Sequence, residues 1–517
     1  MGGDRGVSKA KHRSRDLRSW RWHVQRRTLK DALLLGWFAG CCVLAGCGGG
    51  GSSAPSALPN APAPSPSADL GGLLSDAQLV PLPDPALPSP LPQYAAWIGP
   101  NSFPIRSLDN TQNYNDLHFL DSALNGVQIV ALGESAHGVR EFSALKVRLI
   151  KYLHEHLGFN VLVFESNMLS AYNAGSSINY ETPTQALESG IFQVWWTPDL
   201  LNLFTYIQVH SRDANALQLN GMDIQYYTTR EITLRGYIFQ ELLAPIDLTF
   251  ANTVQATDVQ YSTLLKKAIE RDPAAQATLV AEKSQIESFY TNLAAYFDAH
   301  AAQITAANPT PGIEPVMRQV AASTNYDVET VIDAAADLKN GTLTSLQARD
   351  RGMAANLTYL AQHVYPGQKI IVWAHNVHIG EDNEYLGFPD TGATIRNTYG
   401  LAYYAIGLFM HRGQARFNSG TIYTLVEPPA NSLEDVMYAS NRIYDFVDME
   451  HQAQVPGNAW MFSPQTQIDD WGDSYFSGTP ARMWNGAIYV DTVTPPTYLQ
   501  SSVSRPASQT LLRRRTP

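Results

Sequence analysis

Four short apolar runs of this chain each end in residues that carry charge or titrate. That repetition constrains the fold more than any other feature. Val127–Leu132 runs into Gly133-Glu134-Ser135-Ala136-His137, and Asn160–Phe164 runs into Glu165. Leu217–Asn220 is followed by Gly221-Met222-Asp223, and Lys369–Trp373 by Ala374-His375-Asn376-Val377-His378. Two further runs, Tyr404–Leu408 and Ala487–Val490, come later. Short runs of this kind, rich in β-branched residues, fit strands of a sheet covered on both faces. In a parallel sheet all carboxyl ends point one way, and ligands bind in the crevice beyond them. Two glutamates, three histidines and an aspartate then meet at one cleft.

Helical patterns separate the runs. Arg140–Leu157 places Phe142, Leu145, Leu149, Leu153 and Leu157 at helical spacing, and Gly158 follows as a stop. With its flanking runs it makes a βαβ unit. Tyr261–Ala306 carries no strand signal, and Thr330–His363 reads as two helices broken near Asn340-Gly341. The expected fold is therefore α/β, a largely parallel sheet flanked by helices. A mostly helical insert, about residues 230–350, lies between the third and fourth core strands, where it is able to cover the cleft.

The N-terminus reads as an address. Residues 1–31 hold ten Lys or Arg and three acids, a net +7 that leaves −18 on the rest of a chain whose total is −11. The apolar stretch Ala32–Gly46 is short for a bilayer span and fits a secretory signal. Leu44-Ala45-Gly46-Cys47 resembles the lipobox of bacterial lipoproteins, which implies lipidation at Cys47 and a place in the cell envelope. Gly48 after the cysteine favours the outer membrane by analogy with bacterial sorting. Eleven of the 31 prolines lie between Gly48 and Gln93, in a segment too poor in apolar residues to fold alone. The expected division is a signal over 1–46, a lipidated tether over 47–93, the body over 94–499 and a loose basic tail over 500–517.

Composition and absences narrow the chemistry. An acidic body argues against nucleic acid as a partner, since that binding rests on Lys and Arg. The three cysteines, Cys41, Cys42 and Cys47, all precede the body, which leaves it no thiolate nucleophile and no disulfide. The sequence has no G-x-S-x-G elbow, no H-E-x-x-H, no Walker A loop and no G-x-G-x-x-G after a strand. His137 either caps a turn or works with Glu134, three residues before it. Glu165 either reacts or sits in an ion pair with Arg148 or Lys151, and Asp223 either caps the next segment or orients a histidine. His137, Glu165, His375 and His378 also form a set able to hold a divalent metal. Aromatic residues such as Trp195, Trp196, Trp373 and Trp471 leave room for a third reading, a non-enzymatic protein binding an amphipathic small molecule.

Five blocks in order resemble the erythromycin esterase family. They are Leu132-Gly133-Glu134-Ser135-Ala136-His137-Gly138, Trp195-Trp196-Thr197, Gly221-Met222-Asp223-Ile224-Gln225, Arg349-Asp350 with Met353-Ala354 and Asn356, and Trp373-Ala374-His375-Asn376-Val377-His378. The resemblance spans Asn110 to Thr497. It implies hydrolysis of a carboxylic ester, best known as opening of the macrolactone of macrolide antibiotics. Carried over by position, Glu134, His137, Glu165, His375 and His378 are its catalytic residues, with His137 as general base on water. Family members that inactivate macrolides have arginine where this chain has Lys146. This chain has Lys146 with Arg148 two residues on, so the resemblance implies the reaction class and not the macrolide. The mechanism expected is direct attack by water without a cofactor. Lys146, Arg148 and Asp223 are expected to give electrostatic support.

Overall fold

The computed structural model describes residues 72–500, apart from 85, 86, 88, 227, 309 and 383–385. Cys47, the signal, most of the tether and the tail after 500 lie outside these residues. In chain order the strands are β1 (Phe103–Pro104), β2 (Ile129–Leu132), β3 (Phe159–Asn167), β4 (Gln218–Asp223) and β5 (Lys369–Trp373). They continue with β6 (Tyr403–Arg416), β7 (Ile422–Thr424), β8 (Tyr444–Asp448), β9 (Thr466–Asp470), β10 (Ser474–Gly478) and β11 (Gly486–Val493). The main sheet has the order β1-β8-β11-β6-β2-β5-β3-β4, with β7 on β6. From β11 to β4 every neighbouring pair is parallel. All six apolar runs are thus strands of one parallel sheet, while β8 and β1 add an antiparallel edge.

Both faces of this sheet are covered, as the unbroken apolar runs require. On β2, Ile129 and Ala131 join one core cluster while Val130 and Leu132 join the other. On β5, Ile370 and Val372 divide from Ile371 and Trp373 in the same way. One face carries helix α1 (Arg140–Leu157), through Leu145 and Leu149, and α2 (Pro198–Val209), through Leu200 and Phe204. The other carries the insert: α3 (Thr229–Leu243), α4 (Leu248–Ile269), α5 (Pro273–Ala307), α6 (Ile313–Asn340) and α7 (Thr344–Tyr359). Gly158 ends α1 at φ +72° and Gly341 ends α6 at φ +62°. Both are left-handed positions that cost glycine least.

Two sequence readings shift at their edges. Glu165 and Asp223 belong to β3 and β4 and do not follow them; the β3–β4 register slips between Phe164 and Asn167. The segment expected to be tether as far as Gln93 already packs on the body from Leu74. Leu74 N donates to Arg106 O at 2.8 Å, Leu79 is buried, and Ile443 N donates to Leu79 O at 2.7 Å. Its few leucines find an existing core to join, which a composition count overlooks.

The order places the topological switch between β2 and β5. The chain leaves β2 toward β3 and β4, returns to insert β5, then crosses to β6. The β2, β5 and β6 ends are stitched together there. Asn376 imitates a strand: its Nδ2 donates to Leu408 O at 2.9 Å and its Oδ1 accepts from Leu408 N at 3.1 Å. Gly133 makes room for it, since a Cβ there would lie 2.0 Å from Asn376 Oδ1. Gly133→Ala is expected to cost about 3 kcal/mol in urea unfolding by breaking this clasp. A loss below about 0.5 kcal/mol would contradict the clasp.

Candidate active site

Glu134 occupies the turn after β2 with no exposure to solvent. Its Oε1 accepts from Trp195 Nε1 at 2.8 Å and lies 2.6 Å from His137 Nδ1. Its Oε2 is 2.5 Å from Lys146 Nζ, an ion pair without the alignment of a directed hydrogen bond. Lys146 comes from the second turn of α1 and lies 3.9 Å from the Trp373 ring centroid. Burial works to raise the Glu134 carboxyl, but Lys146 and His137 outweigh it and hold it below the usual range. Burial lowers Lys146 to about 8 against the pull of Glu134.

His137 is the part-exposed member of the cluster, its side chain 11% accessible. With Nδ1 turned to Glu134, its Nε2 has no hydrogen-bond partner among the described residues. Three rings fix its plane: Trp195 at 5.2 Å, His375 at 5.3 Å and Trp471 at 5.3 Å, at interplanar angles of 84°, 71° and 90°.

The other two histidines differ sharply. His375 caps the short helix Asn376–Ile379: its Nδ1 accepts from Val377 N at 3.2 Å and its Nε2 lies 2.9 Å from Ser135 O. Burial, reinforced by His137, lowers it to about 3, so it is a neutral ring donating to Ser135. His378 has Asp350 Oδ1 at 2.8 Å from Nδ1 and Glu165 Oε1 at 3.3 Å from Nε2. Burial opposes its charge, yet Asp350 and Glu165 push it up to about 10.

Arg349, one residue before Asp350 on α7, ties these acids together. It reaches Asp223 through Nε at 3.2 Å and through Nη2 at 2.5 Å, and Glu165 Oε1 through Nη2 at 2.8 Å. Its Nη1 lies 3.1 Å from His378 Nε2. Glu165 also accepts from His375 N at 2.9 Å. Burial works to raise Glu165, but His378 and Arg349 overcome it and hold it well below the usual carboxylate range.

The structure therefore brings together Glu134, His137, Lys146, Glu165, Asp223, His375 and His378. Arg148 stands apart, paired with Asp116 at 2.6 Å and donating to Asn113 O at 2.6 Å. Two residues on a helix are about 200° of turn, so Arg148 leaves the face that Lys146 shares with the site. The ion-pair partners of Glu165 are Arg349 and His378, in place of Arg148 or Lys151. The four residues weighed as metal ligands do not fit that role. The ring nitrogens of His375 and His378 already face protein groups, and among the described residues no three His, Asp or Glu are arranged to hold a metal. Arg349 and Asp350 were visible as a motif without an assigned task, and only the insert's fold-back shows what they do. Trp471, in the β9–β10 turn, stands in the sequence only as one aromatic residue able to line a cleft, with nothing to tie it to the histidines.

Residues 154–493 match the family model described as erythromycin esterase. The chain belongs to the erythromycin esterase family. It is accordingly a hydrolase acting on a small molecule. It is 28% identical over 416 residues to YbfO of Bacillus subtilis (strain 168), whose name marks it as a provisional hydrolase, covering 77% of this chain and 91% of that one. It is 21% identical over 336 residues to erythromycin esterase type II of Escherichia coli, covering 62% and 78%. A solved mutant of the erythromycin esterase EreC, in its open conformation, superposes with TM-score 0.57 at 17% identity, covering 77% of this chain and 98% of that one. That likeness concerns the fold.

Two outcomes follow. Arg349→Met leaves Asp223 buried without its cation and Glu165 with His378 alone, and is expected to lose about 3–5 kcal/mol in denaturant unfolding; a near-neutral change would contradict the network. In histidine NMR from about pH 5 to about pH 9, His375 is expected to stay neutral and His378 charged throughout. Titration of either ring inside that window would contradict the assigned partners.

Proposed function

We propose that this hydrolase cleaves carboxylic esters or lactones by direct attack of water, with His137 as general base and no covalent intermediate. The observation that carries the reading is the 2.6 Å Glu134–His137 contact on Nδ1, which leaves Nε2 as the ring nitrogen able to take a proton. Water gives a proton to Nε2 as its oxygen bonds to the acyl carbon. Collapse of the tetrahedral intermediate breaks the acyl–oxygen bond, and the imidazolium returns that proton to the departing alkoxide. Glu134 remains ionised and stabilises the imidazolium, as the acid of a catalytic triad does. Lys146 keeps Glu134 ionised. His378 and Arg349 supply positive charge beside the place where the oxyanion forms. His375 holds its ring neutral and anchors Ser135.

The test is incubation of residues 72–517 with a macrolide and a panel of simpler esters, followed by mass spectrometry for the gain of one water. Hydrolysis that persists in chelator and falls at least roughly 1000-fold in His137→Ala is expected. Hydrolysis abolished by chelator and restored by a divalent ion would overturn the metal-free mechanism.

We also propose that the full chain is exported and lipidated at Cys47, on the strength of the Leu44-Ala45-Gly46-Cys47 pattern. Wild-type protein expressed in a bacterium is expected in the detergent phase of a Triton X-114 partition, and Cys47→Ala in the aqueous phase or as uncleaved precursor. Equal partition of the two proteins, both processed, would contradict the anchor.

A further inference from the structure

The turn joining β9 to β10, Trp471-Gly472-Asp473, reaches the site from a hairpin that is no part of the main sheet. Trp471 has φ +59°. The other described non-glycine residues with positive φ are Arg271, Asn431 and Asn441. Asparagine tolerates this region, whereas a bulky indole is strained in it. Backbone bonds on both sides hold the strain in place. Trp471 N donates to Ser135 O at 3.2 Å, and Tyr423 donates its hydroxyl to Trp471 O. Gly472 N donates to Asp469 Oδ1 at 2.6 Å, and Val426 N donates to Gly472 O at 2.8 Å. Asp469 is itself fixed, its N–H on Glu434 Oε1 at 3.0 Å.

This strained turn brings a flat ring to two histidines at once. The indole stacks on His375 at 5.2 Å and 23°, and meets His137 edge-on at 5.3 Å and 90°. The Ser135 carbonyl accepts from both the Trp471 N–H and the His375 Nε2–H, so hairpin, catalytic turn and helix cap share one acceptor. The indole N–H has no partner among the described residues, and packing sets the ring. A residue held against its backbone preference beside reacting groups points to function. A glycine would satisfy the turn at less strain, which leaves the side chain as the reason for the residue.

We propose that Trp471 is a positioning residue for His137: stacked on His375 and edge-on to His137, it keeps that imidazole with Nδ1 on Glu134 and Nε2 toward substrate. The proposal rests on the reading of His137 as the base, so its test includes a readout that needs no turnover. The Trp471→Phe variant keeps a flat ring; Trp471→Leu fills the space without one. Both are compared with wild type by NMR of [13C,15N]histidine-labelled protein, with His137→Gln used to assign the resonance. Wild type and Trp471→Phe are expected to show a single neutral tautomer of His137 with the proton on Nδ1, and Trp471→Leu a mixture. On whichever ester the wild type hydrolyses, Trp471→Leu is expected to lose roughly 100-fold in kcat with KM within about threefold, and Trp471→Phe to recover most of it. A His137 tautomer unchanged in a folded Trp471→Leu protein would overturn the proposal whether or not a substrate is found. If the tautomer shifts as expected while no ester is hydrolysed, the positioning role stands and the esterase reading is what fails.

Discussion

A carboxylate with no access to water must be ionised by its neighbours or not at all, and Glu134 sets that condition for the whole site. Water cannot solvate its charge, so the protein replaces water with a lysine, an indole N–H and an imidazole. Each partner comes from a different part of the chain: α1, the turn before α2, and the turn that carries Glu134 itself. The sheet brings them together because β2 lies at the switch point, where the crevice beyond the strand ends is open to helices from both faces. Lys146 is thereby left with a depressed pKa near 8, a consequence of sharing so dry a place.

The second half of the site repeats the logic with more charges. Arg349 lies among Glu165, Asp223 and His378, and Asp350 holds the far side of that histidine. Such networks add little net stability against an apolar replacement, but losing one member is costly because it strands the others. What they gain here is contrast. His378 is held charged and His375 neutral within one short segment, by carboxylates beside the first and by burial with a neighbouring histidine at the second. Two histidines three residues apart thus end in different charge states: one is held positive between two carboxylates, and the other is a neutral donor to Ser135.

Much of this was legible in the sequence, because short apolar runs report strands directly. The six runs became the six parallel strands, the break at Gly341 stands where it was expected, and the polar residues after the runs converge. Site assignments failed where the signal was helical phase or long-range folding. Arg148 sits two residues from Lys146, and a helix turns those positions to opposite sides. Arg349 and Asp350 stand out in the sequence as part of a block, but they lie in a helix of the insert with charged and small residues buried among its apolar ones, and only its return against β4 gives them partners. Trp471 lies nearly a hundred residues beyond the last histidine of the site, in a turn whose strain is invisible until the backbone is seen. The leucines before Gln93 sit among prolines in the sequence, and the core they join is distant along the chain.

The central claim, that water and not an enzyme side chain attacks the acyl carbon, is tested most directly by a single turnover in H2(18)O with enzyme in excess over ester. The account predicts one 18O in the carboxylic acid formed in that first turnover and an enzyme of unchanged mass on acid quench. Unlabelled acid from the first turnover, with 18O appearing in Glu134 or Glu165, or an acyl adduct on the quenched chain, would contradict it and make a carboxylate or another side chain the nucleophile.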